Sequence, residues 1–475
     1  MTDNGRDGWR PANEDSADEA DLADEADEAR EADEARDTGA ELARVEKALA
    51  GRFPHKMIPD LDRIRDLVDL LGHPERAFPV IHLTGTNGKT STARMIDSLL
   101  GGFGLRSGRY TSPHLESVTE RISIDGRPVG AEVFARAYDD VAPYVELVDG
   151  RHAERVTFFE LLTAMAFSAF ADAPVDVGVI EVGLGGTWDA TNVVDSLVQV
   201  VTPISLDHRE LGSTVEEIAT EKAGILRPEA VAVLGQQPLG AARVLAARAE
   251  ELGTTLVREG LEFGVARRKV AVGGQLLTLR GLAGDYDEIF LPLHGEHQAH
   301  NAACALVAVE AFLGGGANPL DLELVRAGFA SASSPGRLEV VRRSPTIVLD
   351  GAHNVAGTQA LVAALADGFQ FDTLVGVVGV LADKDAHAML SVLEPAFDSI
   401  VLTQSSSPRA RSADELGAVA VEVFGADRVE VAPRLDDAID AAVRLVEEGA
   451  ELGGGGVVVT GSLTIVGEAR HLLAH

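Results

Sequence analysis

The sequence predicts an α/β protein made of a larger and a smaller unit, each with a mostly parallel sheet. Three observations predict it. Short apolar runs alternate with helical spans in both halves of the 475-residue chain. One such run, Phe78 to Leu83, ends in the glycine turn Gly85-Thr86-Asn87-Gly88-Lys89-Thr90-Ser91 and passes directly into a helix. The alternation breaks once, at the small-residue and proline stretch SASSPGR over 331–337, and then resumes.

Residues 1–40 carry 15 acidic side chains and 4 arginines, including the run ADEADEAREADEAR, with no sizeable apolar face. They are expected to form an acidic, disordered tail. The spacing predicts a helix over 41–71, with Leu61, Ile64, Val68 and Leu71 on one face. A strand over 78–83 and a helix over 92–100, stopped by Gly101 and Gly102, flank the glycine turn. Further strands are predicted over 175–182 and 197–202, and helices over 158–170 and 214–226. Residues 255–295 read as a small β-rich excursion, followed by an alanine-rich helix over 300–312. Beyond the break, strands are predicted over 346–349, 373–378, 399–403 and 456–460. The expected units are therefore 41–330 and 331–475. In such sheets ligands gather at the C-terminal strand ends, where most of the chemistry-bearing residues fall.

Charge narrows the function. Against 41 basic residues stand 75 acidic ones, a net −34, which disfavours nucleic acid and anionic lipid as partners. An anionic small substrate would need a local cationic pocket. The single cysteine, Cys304, excludes an internal disulfide and a cysteine zinc cage. No apolar run reaches the ~18 residues of a membrane span, and no apolar signal core opens the chain, so a cytoplasmic location is expected. Only 6 of the 41 basic residues are lysine, so a lysine inside a glycine-rich or acidic motif draws suspicion. Lys89, Lys222 and Lys384 all sit in such places.

The turn at 85–91 is the strongest local signal. Gly85 and Gly88 allow close backbone approach, Lys89 can reach the β- and γ-phosphates, and Thr90 can help hold Mg²⁺. It departs from the strict phosphate loop, whose first glycine would fall on Leu83. Glu181 ends an apolar strand before the loop Gly183-Leu184-Gly185-Gly186, and a carboxylate there is costly to bury unless paired or metal-bound. Asp207-His208 follows the next strand, where His208 reads equally as base, metal ligand or structural residue. Lys222 near a helix end is explained by the helix dipole alone. The cluster Tyr110-Thr111-Ser112-Pro113-His114, the loop Asp350-Gly351-Ala352-His353-Asn354, Asp383-Lys384-Asp385 and Gly461-Ser462 are ordinary loop sequences when taken singly.

Taken in order, LDRIRDLVDLLGHPERAFPVIHLTGTNGKTST, YTSPHLESVTERISIDG, EVGLGGTWDATN, SLDHRELGSTVEEIATEKAGILRP, HQAHNAACAL, PGRLEVV, LDGAHN and GSLTIVGEAR closely resemble the folylpolyglutamate synthase and dihydrofolate synthase family within the Mur ligase superfamily. The resemblance covers roughly residues 60–475 and leaves the acidic tail unmatched. It implies a Mur-ligase-like central P-loop ATPase domain and a smaller C-terminal Rossmann-like α/β domain. It also implies ATP-dependent ligation of L-glutamate to dihydropteroate or a reduced folate through an acyl phosphate, in an enzyme expected to be bifunctional and monomeric. The residues implied for the triphosphate are Gly85, Asn87, Gly88, Lys89, Thr90 and Ser91, with Asn301, Arg337 and Asp350 on the adenine nucleotide. Ser112, Glu181 and His208 would hold two Mg²⁺ ions, supported by a carbamylated Lys222. Phe158, Trp188, Asp189, Ala190 and Asn192 would face the pterin side, and His353 with Ser462 the incoming glutamate. Lys89, His208, Lys222 and His353 are the implied catalytic set.

Two departures from the family pattern stand out. Position 90 is Thr where the family often has Gly, and Thr187-Trp188 replace a common Arg-Leu, a change on the substrate side and not in the reaction class. Another Mur-type ligase acting on a nucleotide-sugar peptide should carry a further N-terminal domain. A nucleotide switch protein should carry a guanine-reading Asn-Lys-x-Asp motif, to which Asp383-Lys384-Asp385 is the nearest approach.

Overall fold

The computed structural model describes residues 38–54, 58–207, 209–449 and 454–474. The acidic segment lies outside them except for its last three residues, which open a helix over 38–50 instead of belonging to a tail. His208 also lies outside the described residues.

Eight strands form the first sheet: β1 (Val80–Thr84), β2 (Ser107–Tyr110), β3 (Ile122–Ile124), β4 (Arg127–Pro128), β5 (Val177–Glu181), β6 (Ser196–Val201), β7 (Val231–Leu234) and β8 (Thr255–Arg258). Their order is β4-β3-β2-β5-β1-β6-β7-β8. The six from β2 to β8 run parallel, while β3 and β4 are antiparallel additions at one edge. β1 and β5 are buried at every position because helices cover both faces. On one face the helices Lys89–Gly102 and Glu296–Gly314 form a core with Ile81, Val179 and Val200. On the other, Phe158–Asp172 and Ala131–Asp149 pack on Val80, Tyr110 and Ile180.

A small antiparallel sheet, β9 (Gly264–Ala271), β10 (Gly274–Arg280) and β11 (Asp285–Leu291), makes up the expected excursion, which starts later than 255 because 255–258 is β8 of the first sheet. The second large sheet contains β12 (Glu339–Arg343), β13 (Thr346–Leu349), β14 (Thr373–Val378), β15 (Ser399–Leu402), β16 (Val429–Val431) and β17 (Gly455–Thr460). Its order is β12-β13-β17-β14-β15-β16, parallel except for β12.

The structure departs from the sequence reading in three places. The helix expected over 41–71 is two helices, 38–50 and Asp62–Leu70, because Pro54 and Pro59 supply no N–H for a continuous ladder. The helix after the glycine turn begins at Lys89, three residues early, because Gly88 at φ 87° serves as its cap. β2, β3 and β4 were not expected, since SGRY and its partners carry no apolar run. Arg109 is tolerated inside β2 because it is ion-paired with Asp97 of the Lys89–Gly102 helix.

Asp97 also accepts a hydrogen bond from Ser107, so this one carboxylate ties β2, and the loop that follows it, to the helix that starts at the glycine turn. Asp97→Ala would leave the Arg109 guanidinium buried without its anion. It should lower unfolding free energy by about 3–5 kcal/mol in urea titration. A loss below about 1 kcal/mol would show that Arg109 finds compensation elsewhere.

Candidate active site

One cavity of roughly 780 Å³ lies between the two large sheets, at the C-terminal ends of both. The first lobe contributes the glycine turn after β1. Lys89 Nζ donates to the carbonyls of Gly85 (3.1 Å) and Thr86 (3.3 Å), so the turn holds its own cation over the helix N-terminus. That terminus, a left-handed Gly88 and an amine aimed across the turn together form an anion receptor. A Cβ on Gly88 would stand 2.5 Å from Asn301 Oδ1, so the helix Glu296–Gly314 also presses against the turn. Gln298 of that helix accepts from Asn301 at 3.1 Å and donates to Ser91 at 3.3 Å, while Ser91 meets Ser334 at 2.9 Å.

Glu181, the last residue of β5, is 1% exposed. Thr90 Oγ1 donates to both its oxygens, at 3.0 and 2.9 Å, and the Ser112 N–H reaches one at 3.4 Å. Burial pushes this carboxyl above its usual range, and the Lys89 charge only partly opposes the shift. Among the described residues no three His, Cys, Asp or Glu side chains gather as a metal cage. What stands there is a buried carboxylate beside two hydroxyl-bearing residues, a hard-oxygen set that suits Mg²⁺ with water and phosphate oxygens completing its shell.

Lys222 is 3% exposed, and its Nζ donates to Gly85 O at 2.8 Å. Burial, with Lys89 nearby, depresses its pKa from 10.5 to about 7. The helix-end explanation therefore misses its main feature, a buried amine whose pKa is pushed down to about 7.

The second lobe brings loops that follow β13, β14 and β17. Asp350 is buried and accepts from the N–H groups of Leu338 (3.0 Å) and Ala352 (2.9 Å), with Arg337 alongside. His353 bonds Gly351 O through Nδ1 at 2.8 Å, and burial lowers its pKa to about 4, so the ring is neutral. Ser462 caps the final helix by accepting from the Ile465 N–H at 3.3 Å. Across the cleft, Lys384 pairs with Asp207 at 2.6 Å, and Asn354 exchanges two hydrogen bonds with Asn87 at 3.0 and 3.3 Å while donating to Asp207 at 3.0 Å.

The aromatic end of the cavity is built by Phe158, stacked on Phe53 at 4.3 Å, and by Trp188. Asp189 and Ala190 also line it, but Asp189 spends its oxygens on the N–H of Leu184 and on Thr191, which His82 of β1 contacts at 2.9 Å. Asn192 does not line the cavity. Its amide bonds the carbonyls of Thr187 and Gly224, and its oxygen accepts from Arg227 at 2.7 Å. It folds the loop instead of facing a ligand. Sequence reading noted Lys384, Asp207, Asn354 and Arg121 without giving them a role, and missed Phe53. Only the scarcity of lysine pointed to any of these.

The arrangement is that of a two-lobed Mur-type ligase: residues 83–309 match the Mur ligase middle domain and residues 336–463 the Mur ligase glutamate ligase domain. The dihydrofolate synthase/folylpolyglutamate synthase of Mycobacterium tuberculosis is 50% identical over 460 residues, covering 92% of this chain and 94% of that protein. The protein of the same name from Bacillus subtilis is 33% identical over 426 residues, 89% and 97% of the two chains. The structure of Mycobacterium tuberculosis folylpolyglutamate synthase complexed with ADP superposes with a TM-score of 0.89 over 92% of this chain and 99% of that one, at 50% identity. The chain belongs to the folylpolyglutamate synthase/dihydrofolate synthase family.

Gly88→Ala should lower ADP affinity by about tenfold or more, measured by calorimetry, with the fold retained, because it combines a left-handed φ with the Asn301 clash. Unchanged affinity would separate the turn from the nucleotide. Lys222 yields a pH prediction. Its folded pKa of about 7 lies below the unfolded 10.5, so the unfolded state binds more protons between these values and stability rises with pH across that window. Lys222→Met should flatten that slope in denaturant titrations at pH 7 and pH 9; an unaltered slope would assign it to other groups.

Proposed function

We infer that the chain joins L-glutamate to dihydropteroate and to the terminal carboxylate of reduced folates, with conversion of ATP to ADP and phosphate. The observation that carries this reading is the single cavity. It holds a phosphate receptor, a buried metal-suited carboxylate and an aromatic wall on one lobe, and a cluster of Asp350, His353 and Lys384 on the other. Relatives support both activities, since those of Mycobacterium tuberculosis, Bacillus subtilis and Escherichia coli carry both in their names. A structure described as an FPGS-AMPPCP-folate complex, with a TM-score of 0.80 at 32% identity, supports the pairing of nucleotide and folate.

Gly85, Asn87, Gly88, Lys89, Thr90 and Ser91 hold the triphosphate, and Asn301, Arg337 and Asp350 the adenosine side. Ser112, Glu181 and His208, with Thr90, would hold two Mg²⁺ ions, which supply charge neutralisation for phosphoryl transfer. The near-neutral Lys222 amine suits carbamylation, since only the unprotonated amine reacts with CO₂; the product is an anion facing the same site.

The substrate carboxylate attacks the γ-phosphorus, and ADP leaves with the bridging electron pair. The glutamate amine, having lost a proton, attacks the acyl carbon and expels phosphate, forming the amide. Lys89 follows the charge on the transferred phosphoryl group. Phe158, Trp188, Asp189 and Ala190 shape the pterin side. His353 and Ser462 stand on the glutamate side, and the neutral His353 ring can hydrogen-bond an amine without repelling it. No helix among the described residues is long and apolar enough to cross a membrane, and a cytoplasmic monomer is the proposed setting.

An ADP-release assay with dihydropteroate or tetrahydrofolate, each with and without L-glutamate, tests the reading. Turnover should require both organic substrates, and equal turnover without them would point to a nucleotide switch. Lys89→Ala should abolish turnover with the fold intact by circular dichroism. Lys222→Ala should lose most activity and regain part of it with short-chain carboxylic acids; failure of the acids to help would argue against the carbamate.

A further inference from the structure

Arg121 lines the cavity and has no role in the proposed machinery. It ends the 3-10 turn Val118–Arg121 that leads into β3 and is only 7% exposed. Its Nε donates to His114 Nδ1 at 2.9 Å, which places the imidazole proton on Nε2 and leaves the ring with no negative charge to offer. Among the described residues, no Asp or Glu forms an ion pair with its guanidinium. The adjacent Glu120 is occupied by the N–H groups of Leu115, Glu116 and Ser117. Arg63, on the same cavity wall, shows the usual treatment of a buried arginine, paired with Glu160 at 3.0 Å and Asp60 at 3.3 Å. In a chain of net charge −34, a buried guanidinium without its own carboxylate stands out.

Its position says which anion it awaits. The guanidinium lies over the Phe158 ring, 5.2 Å from the centroid, and Phe158 in turn stacks on Phe53 at the aromatic end. The charges of Glu181 and Glu120 also act on it. Arg121 therefore adjoins the aromatic wall and lines the same cavity as Glu181 and Lys89. A flat aromatic substrate bound at Phe158, with its carboxylate reaching toward Glu181 and the turn at Lys89, would pass its carboxylate beside this fork. The unpaired terminal nitrogens offer the bidentate geometry a carboxylate prefers, and His114 fixes the plane of the fork from behind.

We propose that Arg121 is the receptor for the substrate carboxylate that accepts the phosphoryl group, with His114 as its positioning residue. This rests on the ligase reading above and adds to it the group that orients the reacting carboxylate. The occupant is one class of ligand, an arylcarboxylate or the terminal carboxylate of a folate, and not the nucleotide, whose phosphates are served by Lys89 and the helix terminus.

The test compares binding of dihydropteroate with that of its carboxamide in the presence of a non-hydrolysable ATP analogue. The wild-type chain should prefer the carboxylate by about 10- to 100-fold, the range of a charged hydrogen-bonded contact. Arg121→Gln should bind both ligands alike while its affinity for ADP stays within about twofold of wild type. KM for dihydropteroate should rise while KM for ATP and for glutamate holds. Arg121→Lys keeps the charge and the stem and should fold even if Arg121→Gln does not; it should retain only part of the preference. A full wild-type preference in either variant would overturn the proposal. So would a rise in KM for ATP alone, which would move Arg121 to the triphosphate. If the wild-type chain neither bound these ligands nor turned over with them, the ligase reading itself would fail, and that result appears before any variant is made.

Discussion

The site depends on one costly arrangement, the carboxylate of Glu181 at the end of a fully buried strand. An ionised group in that position loses most of its hydration and is tolerated only with close compensation. The compensation comes from sequence-distant segments: the Thr90 hydroxyl at the start of a helix, the Ser112 N–H after β2, and the field of Lys89. Holding these three against β5 requires β1 and β2 to flank it, which is their place in the sheet. The same arrangement leaves the carboxyl under-compensated, so a divalent cation arriving with a nucleotide improves the electrostatics instead of disturbing them.

The remaining polar groups sort by whether they are satisfied within the chain. Asp189, Asn192 and Thr191 consume their bonds in folding the loop after β5, and His82 inside β1 braces Thr191. Asp350 is likewise bound to two backbone N–H groups. Against this background, the groups with spare capacity are Lys89, held only by carbonyls; Lys222, a buried amine on a single carbonyl; and Arg121. Two of the three are lysines in a chain that otherwise favours arginine.

Much of this was legible from the residues. The apolar runs at 80–84, 177–181 and 346–349 located the central strands, and the glycine turn located the phosphate receptor, because burial on both faces and left-handed glycine leave plain marks in sequence. Lys222 was not legible by pattern: its spacing fitted a helix end, and only the three-dimensional enclosure shows the depressed amine. The strand carrying Arg109 was invisible because its burial depends on Asp97, whose position in space the local sequence does not encode. The family resemblance placed Asn192 on the substrate side, but a loop asparagine looks the same in sequence whether it bonds substrate or its own backbone. The contacts across the cleft, Asp207 with Lys384 and Asn87 with Asn354, join residues up to 267 positions apart and leave no periodic trace.

Those contacts contrast with a second junction between the lobes. There Leu115 packs into the apolar cluster of the second lobe, and its carbonyl lies so close to Gly467 that no Cβ would fit. The first junction is stitched by amides and an ion pair, which water can replace at small cost, whereas the second adds hydrocarbon contact to its own ion pair, Glu116 with Arg470. Parting the first junction while the second stays closed would uncover little apolar surface. Such gaping would therefore carry a small heat-capacity change, and its equilibrium would respond to dissolved salt more than to warming.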